Sequence, residues 1–161
     1  MRVLPHQLGF TLIELMVSVT ILLLMFGGGM ASYIHFNDNQ KVIVTGQQIQ
    51  LMLRTAQKKA RVGDKPAGCS ILQGYQLSAS TVANAVVQLY AVCGAGVLIA
   101  SDSYTMPSGV TLQQAMSIIF KVLTGGTNQP GTVVLVGPTG TTYTFTVGSG
   151  GDISEGTVVT H

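Results

Sequence analysis

The chain has 161 residues, of which only 9% are charged, with a formal net charge of +2, no Trp and a mean hydropathy of +0.47. That length suits one domain plus an accessory segment, and the apolarity is unusual for a soluble domain. Beyond Lys65 the only basic side chain is Lys121, against Asp102, Asp152 and Glu155, which argues against general nucleic-acid binding by the C-terminal part.

The first element is a short polar leader, "MRVLPHQLG", carrying Arg2. Then comes an apolar run, 10–34, whose only formal charge is Glu14. As a helix it spans roughly 37 Å at about 1.5 Å per residue. That exceeds a bilayer core of about 30 Å. A cation ahead of the run favours an orientation with the N-terminus inside, leaving the remainder outside the cytoplasm. A competing reading is a secretory signal peptide cut near Ala31, in "GMAS". Glu14 interrupts the run where a signal peptide is uniformly apolar.

Helical patterning resumes after Gly27, Gly28 and Gly29. Val42, Gly46, Ile49, Leu53, Ala56 and Ala60 fall on one side of a helix. Arg54, Lys58, Arg61 and Lys65 share another face. The spacing predicts a helix over 10–63, with a membrane-spanning half over 10–34 and an amphipathic half that packs on a domain. The glycines permit either a bend or close helix–helix packing. Pro66 disfavours helix at Lys65, so "DKPAGC" reads as the stop.

"GFTLIELMVSVTILLL" resembles the class III signal sequence of type IV pilins and type II secretion pseudopilins. The resemblance rests on Gly9, Phe10, Thr11, Leu12, Ile13, Glu14 and the apolar run after them. It implies that a prepilin peptidase cuts between Gly9 and Phe10 and that Phe10 is then N-methylated. It also implies that Glu14 pairs with the N-terminal amine of a neighbouring subunit. The physics agrees, because a carboxylate in hydrocarbon costs several kcal/mol unless paired. Implied partners are the peptidase, other pilin or pseudopilin subunits, an inner-membrane assembly platform and membrane lipid. The implied product is a structural subunit, not an enzyme, anchored in the inner membrane and then carried in a filament.

Residues 64–161 change character: short β-prone runs alternate with Gly, Pro and Ser breakers. Strands are predicted at 69–72, 75–79, 85–93, 97–101, 109–113, 117–123, 132–137, 141–147 and 152–154. Within this set, 113–116 suits a short helical turn, and Pro107 marks an edge or loop. "TVVLVGPTGTTYTFTV" reads as a hairpin turning at Pro138–Gly140. The expected fold class is α+β, a long N-terminal helix packed on an antiparallel β domain. Its parts would be leader 1–9, helix 10–63 and β domain 64–161.

The β domain is also similar, more loosely, to the type H minor pseudopilins and the related minor pilins that include the natural-competence pilin. The matching positions are Pro107, Gly109, Val110, Ile118, Phe120, Gly125, the 132–147 hairpin and Gly151–Ile153, with Leu53, Ala56, Ala60 and Arg61 on the helix. This places the chain as a minor subunit, with a DNA-binding pilin of a competence machine as the alternative.

Cys69 and Cys93 pair as a disulfide if the chain is exported, or remain two buried thiols. The stripe Arg54, Lys58, Arg61 and Lys65 has three readings: a solvated helix face, a contact with acidic surface on another subunit, or a DNA contact. His6, His35 and His161 are too scattered for a metal site, and no catalytic or cofactor motif stands out. Asp152 and Glu155 could contribute to a calcium site, but two acids in a Gly-rich tail are ordinarily solvated.

Overall fold

A computed structural model describes residues 10–160. The chain divides into two units, Met1–Asn37 and Asp38–His161. One helix, α1 (Leu12–Val62), contributes to both.

In the first unit the helix starts where its cap dictates. Thr11 precedes the first helical residue, and its Oγ1 accepts the backbone N–H of Glu14 at 3.3 Å. That is an N-cap with a Glu three residues on, the T-x-x-E spacing of a capping box. Polar side chains inside the apolar run are satisfied locally. Ser18 Oγ donates to the Glu14 carbonyl at 2.7 Å, and Thr20 Oγ1 to that of Met16 at 2.8 Å. The backbone stays helical through Gly27–Gly29, and a Cβ at Gly27 would meet nothing. Among the described residues no helix is long and apolar enough to cross a membrane. The apolar run read from sequence passes through 28–32, whose side chains lie outside the described residues.

In the second unit the helix is amphipathic as its spacing requires. Val42, Gly46, Ile49, Met52, Leu53, Ala56 and Ala60 are buried, and Arg54, Lys58 and Arg61 are exposed. It ends sooner than Pro66. Gly63, at φ +69°, takes the left-handed position after the last turn. Its N–H reaches the Ala60 carbonyl at 3.2 Å, and the N–H of Asp64 reaches that of Lys59 at 3.0 Å. Those two bonds form a Schellman motif, which a residue with a Cβ enters only under strain.

Among the described residues eight strands follow: β1 (Leu72–Ala79), β2 (Val86–Cys93), β3 (Val97–Thr105), β4 (Thr111–Leu112), β5 (Met116–Lys121), β6 (Gly131–Val136), β7 (Thr142–Val147) and β8 (Thr157–Val159). They make two antiparallel sheets of four, ordered β3-β2-β1-β5 and β4-β6-β7-β8. Strand alternation supplies the core, because every second residue faces inward. Tyr75 and Leu77 of β1, Leu89 of β2, Phe120 of β5, Leu135 of β6 and Phe145 of β7 are almost completely buried with the helix stripe.

Several strand expectations need correction. The runs at 69–72 and 75–79 are one strand from Leu72, which passes through Gly74 because a Cβ there would strike the Phe120 carbonyl of β5. Residues 113–116 make no helical turn; the Gln113 N–H donates to Val134 O at 2.9 Å, and Met116 opens β5. The run 152–154 is a single bridge, Ile153 to Val147, and the last strand is Thr157–Val159. The hairpin of β6 and β7 turns at Pro138–Gly140, with Gly140 at φ +81°.

Candidate assembly site

Three parts of the chain carry the functional expectations: the N-terminal turn, the basic face of α1 and the contacts that lock α1 to the sheets. Gly9 lies outside the described residues. Phe10 is 82% exposed, and Glu14 is exposed in the first turn of α1. A carboxylate there faces the positive end of the helix dipole. Leu12, Ile13, Leu15, Met16, Val17 and the apolar side chains onward to Phe26 are exposed around it. So long an apolar surface needs covering by lipid or by other helices.

The helix is tied to both sheets within the second unit. Asn39 Oδ1 accepts from Thr139 Oγ1 at 2.9 Å and from Thr141 Oγ1 at 2.6 Å, so one amide fastens the β6–β7 turn. The Tyr143 hydroxyl donates to Gln50 Oε1 at 2.9 Å, while Gln50 Nε2 donates to the Ser154 carbonyl at 2.9 Å. Gln57 Nε2 donates to the carbonyls of Gly151 at 2.7 Å and Gly125 at 3.2 Å. On the other sheet, Lys59 Nζ donates to Ser101 Oγ at 2.7 Å and lies 5.7 Å from the centre of the Tyr75 ring. The Tyr75 hydroxyl donates to the Asp64 carbonyl at 2.6 Å. Burial pushes the Tyr75 phenol above its usual pKa, with a smaller push from Asp64. Burial also raises that of Tyr143, opposed by the nearby Arg54 cation.

The basic stripe is dispersed. Arg54 lines a cleft of about 410 Å³ with Gln47, Gln50, Tyr143 and Glu155. Arg61 lies along Gly125 of the β5–β6 loop, so closely that a Cβ on that glycine would strike its side chain. Lys58 and Lys65 share a depression with Val62 and Asp64. Among the described residues the one ion pair is Lys41–Asp38, at 2.7 Å.

Cys69 and Cys93 form a disulfide with a Cα separation of 5.5 Å. It pins the segment before β1 to the end of β2, where the N–H of Gly94 donates to the Ile71 carbonyl at 2.8 Å. Among the described residues no three His, Cys, Asp or Glu side chains converge to hold a metal ion. Asp152 instead folds over the Gly148–Gly150 turn, where the Gly148 N–H donates to its carbonyl at 2.8 Å.

Sequence reading missed the Thr11 cap, the Asn39 clamp and the Gln50–Tyr143 pair. Only the cap had a signal, the Thr-Leu-Ile-Glu spacing before the apolar run.

Residues 4–30 match the prokaryotic N-terminal methylation motif. The long helix packed on antiparallel sheets makes an α+β pilin fold. A solved structure of similar fold is the minor pseudopilin EpsH of the type 2 secretion system of Vibrio cholerae. That match has a TM-score of 0.52 at 10% identity and covers 74% of this chain and 97% of the other. No curated protein matches the chain in sequence.

Proposed function

We propose that the chain is a structural subunit of a pilus-like filament, cut between Gly9 and Phe10 by a prepilin peptidase, N-methylated at Phe10, and assembled through α1. The observation that carries this reading is a methylation motif set directly on a helix whose described apolar side chains are exposed from Phe10 to Phe26. Before assembly that surface resides in the inner membrane with the N-terminus inside. After assembly the same surface packs on neighbouring helices. Glu14 bears the charge that this exchange must satisfy. Cleavage creates an amine four residues ahead of it, and a staggered neighbour brings its own amine to that carboxylate.

The Cys69–Cys93 bond fits a β domain that matures outside the cytoplasm, since disulfides persist in oxidising compartments. Similarity of fold to EpsH favours a minor pseudopilin of a type II secretion machine. Its partners would be the peptidase, the assembly platform and other pseudopilins. The DNA-binding reading gains no comparable support, because Arg54 and Arg61 are directed into different surroundings from Lys58 and Lys65.

The test is Glu14→Leu in a host that carries the assembly machinery. The variant should insert and be cleaved, and should enter sheared filaments at a small fraction of the wild-type level. Normal incorporation would contradict the charge pairing.

A further inference from the structure

Between β5 and β6 lies a cleft of about 450 Å³. It opens where strand pairing stops on both sides. On the β5 side, the Val122 N–H donates to the Gln73 carbonyl at 3.2 Å, in the register that pairs Ile118 with Leu77. Alternate residues of a strand face the same edge, so the backbone groups of Ser117, Ile119 and Lys121 face away from β1. The β5–β6 loop covers two of these three. The Lys121 N–H donates to the Gly126 carbonyl at 2.9 Å. Asn128 gives its N–H to the Ile119 carbonyl at 3.2 Å and takes the Ile119 N–H on Oδ1 at 3.1 Å. Continued in that register, the residue opposite Ser117 is Pro130, which has no N–H to give.

The β6 side is left open in the same way. The Gly137 N–H donates to the Thr141 carbonyl at 2.8 Å, so Val133 and Leu135 turn their backbone groups to β7. Those of Thr132 and Val134 face the opposite edge. There β4 supplies only Thr111 and Leu112, and Gln113 adds one bond to the Val134 carbonyl at 2.9 Å. Among the described residues no hydrogen bond reaches the backbone N–H or carbonyl of Ser117 or of Thr132. Both residues line the cleft.

The lining says what suits two open strand edges. Met116, Ile118 and Val133 are its buried apolar part, and Gln113, Gln129 and Thr132 are exposed. No lining residue is charged or aromatic. Nothing there holds an anion or stacks on a base. Main chain in extended form needs only the free N–H and carbonyl groups, and its alternate side chains meet the apolar part.

We propose that this cleft binds an extended, uncharged segment of a partner protein, which enters as an added strand and pairs with Ser117 on one side and Thr132 on the other. Apolar side chains at every second position of the segment face Met116, Ile118 and Val133.

The experiment selects binders of the full-length protein in detergent from a phage-displayed library of random peptides. Enriched peptides should be uncharged, apolar at alternate positions, and bound equally well in low and high salt. Thr132→Pro removes one free N–H at an edge position where proline is tolerated. Gly131→Phe puts a ring into the cleft from a position where a Cβ meets nothing. Each variant should keep the wild-type thermal midpoint and bind the peptides at least ten-fold more weakly. A variant that loses its midpoint is set aside, and the other decides. N-methylation of either alternate set of peptide backbone nitrogens should also weaken binding to wild type at least ten-fold, because both edges take part. No enrichment over an unrelated protein, binding within two-fold of wild type in a folded variant, or indifference to N-methylation would each overturn the proposal.

Discussion

The ring of Tyr143 packs so closely on the backbone of Gly46 that any Cβ on that glycine would strike Cδ1, Cε1 and Cγ of the ring. Gly156 abuts the same side chain, and a Cβ there would strike Cζ, the hydroxyl and Cε1. The ring is nearly buried, and its hydroxyl is fixed by Gln50 at 2.9 Å. Here α1, β7 and the C-terminal segment meet, with no room for one more methyl group.

Gly46→Ala sets two effects against each other. Alanine favours the helix by about 1 kcal/mol. Overpacking a filled site costs about 1–3 kcal/mol. The ring cannot retreat without losing Gln50, so the steric cost should win, and denaturant unfolding should show a net loss of about 1–2 kcal/mol. A stabilised variant would mean that the ring has room to move.

Asn39→Ala removes the acceptor shared by Thr139 and Thr141, the latter almost fully buried. Leaving two hydroxyls without their partner should cost about 1–3 kcal/mol. The local signature is faster amide exchange at Gly137 and Gly140, whose N–H groups hold the turn. Exchange unchanged at those amides would show that the turn stands without the clamp.

How far the sequence carried these features depends on whether their cause is local. The buried stripe from Val42 to Ala60 follows from helical spacing alone, and the hairpin turn at Pro138–Gly140 from its residue types. The end of α1 was also written locally: the predicted helix stops at 63, where Gly63 takes the left-handed position one residue after Val62. Gly74 looked like a break between strands because its reason, the Phe120 carbonyl, is contributed by a distant strand. The strand Thr157–Val159 is three residues long and exposed, so no alternation marks it. Asn39 and Gln50 act on groups 93 to 104 positions away, and no local pattern encodes such contacts.

Reduction of Cys69–Cys93 opens a loop of sequence separation 24. Cross-links of that size typically contribute about 2–4 kcal/mol. Cys69→Ser with Cys93→Ser should lower stability by about that amount and make it independent of reductant. Equal stability of the wild type with and without reductant would show that the bond contributes nothing.

The tyrosines set an alkaline limit. Both Tyr75 and Tyr143 have folded pKa values raised above the ordinary 10.0. Above about pH 10 the unfolded chain therefore binds fewer protons than the folded one, and stability falls as pH rises. It is fully present below the unfolded pKa and is lost through the folded one. Tyr143→Phe should lose stability near neutrality, through the unpaired Gln50, yet show a shallower decline above pH 10. A decline as steep as that of wild type would assign the alkaline loss to other groups.

The most direct measurement is the intact mass and N-terminal residue of the protein recovered from membranes of a host with an active prepilin peptidase. A chain beginning at N-methylated Phe10 is the predicted result. A chain beginning near Ala31, or an uncut chain beside a fully processed control pilin, would contradict processing at Gly9–Phe10 and the assembly role of Glu14 that depends on it.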